Sequence, residues 1–191
     1  MNAKRKRIIV AITGASGAIY GKRILEALKN IDDIETHLII SKAAGITIDL
    51  ELNCSVSDIE KLADKTHKVT DIAACISSGS YKTEGMVVAP CSMKTLAEIA
   101  TGVSSNLVSR AADVVLKERG KLVLLTRETP LNSIHLENML KLSHAGAYIC
   151  PPVPAFYNNP ETIDDIVSHS IGRVLDIFHI DSSLARRWKD D

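Results

Sequence analysis

The feature that most constrains this chain is a repeated change of apolar rhythm. Short β-branched runs end in Gly, Ser, Thr or Pro and give way to longer segments with helical spacing. The run over 8–12 leads into Thr13-Gly14-Ala15-Ser16-Gly17, and a helix is predicted over 18–28 from Ile19, Ile24, Leu25 and Leu28. Further strands are predicted over 36–40, 69–72, 85–89, 122–126 and 147–150, with Pro90 stopping the fourth of the six. Further helices are predicted over 43–50, 56–62, 93–100 behind an Ser92 cap, 106–119 with Gly120 as C-cap, 132–144 and 162–179, with a last turn over 181–188. The segment 75–85 reads as a polar loop and Pro151-Pro152-Val153-Pro154 as a stiff one. Alternation of this kind predicts an α/β fold of three layers, a mostly parallel sheet with helices on both faces. We read 1–191 as a single domain with a helical tail from about 161.

Lys plus Arg equals Asp plus Glu at 23 each. That balance gives no electrostatic reason to expect nucleic acid or an anionic membrane as partner, and it does little to keep copies apart. Cys54, Cys75, Cys91 and Cys150 are scattered, without a CxxC and without a His at finger spacing. Neither a disulfide framework nor a zinc site is expected, and reduced thiols in a cytoplasmic protein are the reading. The basic-then-apolar start ends in a Gly/Ser turn, so it is not read as a signal peptide, and no stretch approaches the roughly 20 apolar residues of a membrane span.

In open parallel sheets ligands bind beyond the carboxyl ends of the strands. That rule nominates 13–17, Ser41, 90–95, 126–129 and 151–157, all strand-to-helix loops. Gly14-Ala15-Ser16-Gly17 lets backbone N–H groups at a helix start approach an anion. It is neither GxGxxG nor a P-loop, and serves equally as a tight turn without ligand. Ser92-Met93-Lys94-Thr95 opens a second helix with two hydroxyls. Two polar helix starts on one sheet edge suit a phosphorylated ring cofactor. Arg127 and Glu128 are adjacent opposite charges just past a predicted strand, able to grip phosphate or to form a surface ion pair. Arg110, Lys117 and Arg119 on one helix, Tyr157 and Arg173 read singly as solvated groups, and together as a phosphate clamp. Cys91 has no evident base beside it, and His135 reads as structural.

The strings ITGASGAIYG, ISKAA, VVAPCSMKTLAEIATG, NLVSRAADVVLKERGKLVLLTRETPLNSIHLENMLKLSHAGA and PPVPAFYNNPETIDDIV resemble the UbiX-type flavin prenyltransferases, also called Pad-type partner proteins of phenolic acid and polyprenyl-benzoate decarboxylases. The resemblance runs from about residue 7 to Trp188. It implies a Rossmann-like fold and binding of FMN. It implies transfer of a dimethylallyl group from dimethylallyl monophosphate to N5 and C6 of reduced FMN, without a metal. The prenylated FMN then leaves for a separate UbiD-type decarboxylase. Homo-oligomers from trimer to dodecamer are implied as well. Matched residue by residue, Gly14, Ala15, Ser16, Ser41, Ser92, Met93, Lys94, Thr95 and Arg127 would bind FMN. Tyr157, Arg173, Lys117, Arg110 and Glu128 would bind the prenyl phosphate, with Lys117, Glu128 and Tyr157 taking part in catalysis. Ser16 and Glu51 would form a proton relay near flavin N5, and Trp188 would close over the site. One departure is Ile72, where relatives often carry Trp. An aliphatic wall shields an allylic fragment but offers no cation–π stabilisation. Two other functions share the flavin loops: an FMN-dependent cysteine decarboxylase, which should lack the phosphate clamp, and a flavin carrier without turnover.

Overall fold

In the computed structural model, which describes residues 5–185, the predicted alternation builds one six-stranded sheet. In chain order the elements are β1 (Lys6–Ile12), α1 (Ala18–Lys29), β2 (Ile34–Ile40), α2 (Lys42–Glu51), α3 (Val56–Glu60), β3 (Lys65–Lys68), β4 (Gly85–Cys91), α4 (Met93–Thr101), α5 (Leu107–Lys117), β5 (Lys121–Thr126), α6 (Ser133–His144), β6 (Tyr148–Ile149) and α7 (Ile163–Ile177), with a 3-10 turn at Cys75–Ser77. The strand order is β3-β2-β1-β4-β5-β6 and every pairing is parallel. Among the described residues, no helix is long and apolar enough to cross a membrane.

The two faces of β1 explain the two helical layers. Ile8, Val10 and Ile12 point to a core completed by Ile24, Leu25 and Leu28 of α1 and Ile171, Val174 and Leu175 of α7. Ile9 and Ala11 point the other way, to Leu96 of α4 and Leu107, Val108, Ala111 and Val115 of α5. A strand buried on both faces reads as a continuous apolar run, which is why 8–12 stood out. Gly21 sets how closely α1 lies on the sheet. A Cβ there would sit 2.5 Å from the Ala89 carbonyl oxygen and 2.7 Å from Ile12.

Three expectations change. The outer strand is β3 at Lys65–Lys68, not 69–72. Its Lys-Thr-His-Lys sequence is polar because it is an edge strand, so no apolar run marks it. Strand β4 continues through Pro90 to Cys91, with a register shift between Val88 and Cys91. The irregularity accommodates a residue that has no N–H for the ladder. Thr13 holds this end of β4 in place: its hydroxyl donates to the Pro90 carbonyl at 2.7 Å and accepts from the Ser92 N–H at 2.9 Å. At the end of α5 the left-handed residue is Arg119 (φ 60), after a C-cap at Glu118, rather than Gly120. The turn over 181–188 runs beyond the described residues, as does Trp188.

Candidate active site

The topology reverses between β1 and β4: chain order grows outward through β2 and β3 on one side and β5 and β6 on the other. Loops leaving the carboxyl ends of β1 and β4 therefore diverge and leave a crevice. An open cavity of about 730 Å³ lies there, lined among others by Gly14, Ser41, Ala43, Ile72, Ser92 and Thr95. That volume falls within the range of ligand pockets. Glycine is needed at position 14 because a Cβ would stand 2.3 Å from the Ala43 Cβ. Removing it is what lets the β1 loop and the start of α2 close around the same space.

Two helix starts face this crevice with serine caps. Ser41 accepts from the Ala44 N–H at 3.1 Å, and Ser92 accepts from the Thr95 N–H at 3.3 Å and donates to the Thr95 hydroxyl at 3.1 Å. The third start, that of α1, is already occupied. Glu51 Oε2 accepts from the Gly17 and Ala18 N–H groups at 2.8 and 3.0 Å. Burial alone would raise the Glu51 pKa, but hydrogen bonds from Ser16, Gly17 and Ala18, with Arg127 nearby, outweigh it and hold the carboxyl below its ordinary value. Arg127 Nε donates to the Ser16 carbonyl at 3.3 Å. Ser16, Glu51 and Arg127 thus form one cluster, although 111 positions separate Ser16 from Arg127. An anion entering the crevice meets α2 and α4 with their dipoles unsatisfied and α1 with its dipole filled by a carboxylate.

The other expected residues are not all gathered. Lys94 does line the crevice, exposed and ion-paired with Glu98 at 2.6 Å, while Met93 is half-buried beside it. Glu128 is exposed, and its Oε1 accepts from the Thr129 N–H at 3.0 Å. Arg173 belongs to a second groove between the proline loop and α7, and Tyr157 touches that groove's His169. Arg173 lines the groove with Pro151, Pro152 and His169, and pairs with Asp176 at 2.7 Å. The Tyr157 hydroxyl lies 3.2 Å from His169 Nε2, and the rings meet edge to face. Arg110 Nε donates to the Ser77 carbonyl at 3.2 Å and the side chain pairs with Asp113 at 2.8 Å. Lys117 is farthest away. Helix α5 starts where Leu107 N–H meets the Val69 carbonyl just past β3, and ends where Lys117 pairs with Glu118 at 2.5 Å, shortly before β5 begins. Eleven residues of helix, about 16 Å, carry Lys117 toward the amino edge of the sheet. Within one chain the cationic side chains do not meet as a clamp.

Val69, Thr70, Ser105 and Asn106 also line the crevice and were missed by sequence reasoning. Asn106 had a signal: it caps α5, accepting from the Val108 and Ser109 N–H groups, in a reciprocal box with Ser109. His169 had none, since its importance comes only from its contact with Tyr157. Its Nδ1 is buried with no hydrogen-bond partner. Cys91 is fully buried, and burial pushes its thiol up to about 12, so it stays protonated and is no nucleophile. Among the described residues, side chains of metal-ligating type converge at His37, His67 and Cys75, away from this crevice.

An all-parallel, doubly wound sheet with an anion-receptive crevice at its switch point defines a nucleotide-binding protein of the Rossmann-like class. Comparison with known proteins narrows this. The Flavoprotein family matches residues 1–175. A probable UbiX-like flavin prenyltransferase of Streptomyces sp. (strain D7) is 56% identical over 182 residues, covering 95% of this chain and 91% of that one. Two solved structures share the fold closely. A dodecameric FMN-dependent Ubix-like decarboxylase from Escherichia coli O157:H7 is 56% identical with a TM-score of 0.94, over 96% of this chain and 99% of that one. AnUbiX (PadA1), solved in complex with FMN and dimethylallyl pyrophosphate, is 50% identical with a TM-score of 0.96, over 98% and 100%. The chain belongs to the UbiX-like flavin prenyltransferase family.

Proposed function

We propose that this protein is a metal-independent flavin prenyltransferase that transfers a dimethylallyl group from dimethylallyl monophosphate to N5 and C6 of reduced FMN. The carrying observation is the crevice at the switch point, where Gly14, Ser41 and Ser92 offer two capped helix starts while Glu51 occupies the third. The donor set fits FMN: backbone N–H groups and hydroxyls for a phosphate, and a cavity wide enough for a ring system. Gly14, Ala15, Ser16, Ser41, Ser92, Met93, Lys94, Thr95 and Arg127 are the residues we assign to holding it. When bound, reduced FMN supplies the nucleophilic atoms.

The chain's own groups do the rest. Ser16 donates a hydrogen bond to Glu51 at the α1 start, and Glu51, held ionised there, is the acceptor end of the relay. Ile72 walls the crevice beside Val69 and Thr70, and excludes water from a reactive allylic fragment. Lys117, Arg110 and Arg173 supply positive charge where the leaving phosphate develops negative charge, Tyr157 donates a hydrogen bond, and Glu128 passes a proton to or from that phosphate. Because Lys117 sits toward the opposite sheet edge from Gly14, this clamp requires a second copy of the chain, and a homo-oligomer between trimer and dodecamer supplies one. We assign the whole of 1–191 to one catalytic domain with a helical tail from about 161, place it in the cytoplasm, and take a UbiD-type decarboxylase as the recipient of the prenylated FMN.

The test mixes the protein with reduced FMN and dimethylallyl monophosphate or diphosphate in separate arms. Mass spectrometry should show a flavin that has gained one five-carbon unit, first in the monophosphate arm. Bound but unmodified FMN in both arms would instead support a flavin carrier. Loss of carbon dioxide from a cysteine-terminated peptide would support a decarboxylase.

A further inference from the structure

At the β2–β3 edge, on the sheet face that carries α4 and α5, three side chains from separate segments converge. His37 of β2 is fully buried, His67 of β3 is partly exposed, and Cys75 in the 3-10 turn is exposed. One ligand-type atom of each lies within 4.8 Å of the other two. We propose that His37, His67 and Cys75 form a zinc-binding site, separate from the flavin crevice, that pins the segment forming one of its walls.

The ligand set and its surroundings support this together. Two imidazole nitrogens and a thiolate form the mixed N/S set that zinc favours over harder cations. His37 Nδ1 and His67 Nε2 face each other at 2.8 Å. Tetrahedral zinc with bonds of about 2.0–2.1 Å holds neighbouring nitrogens about 3.3 Å apart, so the ion takes the place of this hydrogen bond: the two rings part by about half an ångström and turn toward Cys75, whose Sγ closes in from within 4.8 Å. The far side of His37 is fixed. Its Nε2 lies 2.8 Å from Glu35 Oε1, which selects the tautomer that leaves Nδ1 unprotonated, its lone pair accepting from His67 Nε2 until an ion replaces that proton. A carboxylate behind a ligating histidine is the recurrent outer shell of zinc sites. Glu35 is itself held by Lys65 at 3.0 Å and Arg7 at 3.3 Å, and the Tyr81 hydroxyl stands 3.2 Å from His37 Nε2. On binding, the Cys75 thiol gives its proton to solvent, three protein bonds to zinc form, and water keeps the fourth position on the exposed side.

The segment between His67 and Cys75 is what links this site to the crevice. Val69, Thr70 and Ile72 line the crevice, and the Val69 carbonyl receives the first N–H of α5. An ion bridging β2, β3 and the 3-10 turn closes a short loop around these wall residues and reduces their freedom to open.

Untagged full-length protein, stripped with a chelator, is titrated with zinc chloride and in parallel with cobalt chloride. One zinc per chain is expected, and the cobalt form should show thiolate-to-cobalt charge-transfer absorption. Cys75→Ser should abolish that absorption and weaken zinc at least about tenfold, and His67→Gln should weaken zinc to a similar degree. Zinc should also slow amide hydrogen exchange over 69–74 in the parent protein and not in Cys75→Ser. FMN binding by the zinc-free variants, unchanged from the parent, shows that they are folded. Absence of the thiolate band in the parent, equal zinc affinity in parent and Cys75→Ser, or unaltered exchange over 69–74 would each overturn the proposal. None of these readouts depends on prenyl transfer.

Discussion

Residue 51 shows how one side chain can fill a helix start from a distant element. Helix α1 would otherwise present unsatisfied N–H groups to any phosphate. Glu51 reaches from the end of α2 to accept two of them and a hydrogen bond from Ser16. Glu51→Gln keeps the shape but removes the carboxylate that we propose as proton acceptor. It is expected to lower prenylation by about 100-fold, the scale of a general base, while FMN binding changes less than tenfold. Product analysis by mass spectrometry and flavin fluorescence titration separate the two. The same carboxylate predicts an acid response. Its pKa is depressed in the folded state, so its support for the α1 start is present above the unfolded value of about 4.3 and is lost as pH falls through the folded value. Protection of the Gly17 and Ala18 amides, measured against the intrinsic exchange rate at each pH, should therefore fall as the pH drops through the folded value, and the Gln variant should lose that response.

At the scale of elements, close approach matters more than local propensity. Gly21→Ala adds a methyl group that meets the Ala89 carbonyl and Ile12. Although alanine is the better helix former, overpacking is expected to cost about 1–3 kcal/mol, read as a lower melting temperature with α1 still helical. The same contrast explains which elements were legible. Strand β1 and helix α5 carry strong patterns, because each buries a continuous face, so their positions were read to within a residue or two. Strand β3 carries none, because Lys65 and Lys68 stand on an exposed edge. Pro90 misled for a related reason: its incompatibility with a ladder is real, but an irregularity between Val88 and Cys91 absorbs it.

At the scale of the whole molecule, the cationic groups fall into separate places on one chain. Arg127 stands at the Ser16 carbonyl before α1, Arg173 in the groove beside α7, and Lys117 at the far end of α5. If a second copy completes the clamp, Lys117→Ala should bind FMN normally and lose prenylation by at least about 100-fold. Mixed oligomers reassembled from Lys117→Ala and Glu51→Gln chains should then regain part of the activity, since some sites receive an intact Lys117 from one chain and an intact Glu51 from the other. Inactive mixtures would place the two residues in a single-chain site.

What the sequence determined by itself is what depends on near neighbours along the chain: the strand–helix alternation, the serine cap at 92, and hence the sheet edge where ligands enter. Hydrophobic periodicity and capping are local, so they are written in consecutive residues. The tertiary structure alone decided which distant groups meet. It brought Glu51 and Arg127 to Ser16, Tyr157 to His169, and His37 and His67 to Cys75. These meetings follow from the order and register of strands that are far apart in sequence. They arise from packing two buried faces at once, which no window along the chain contains.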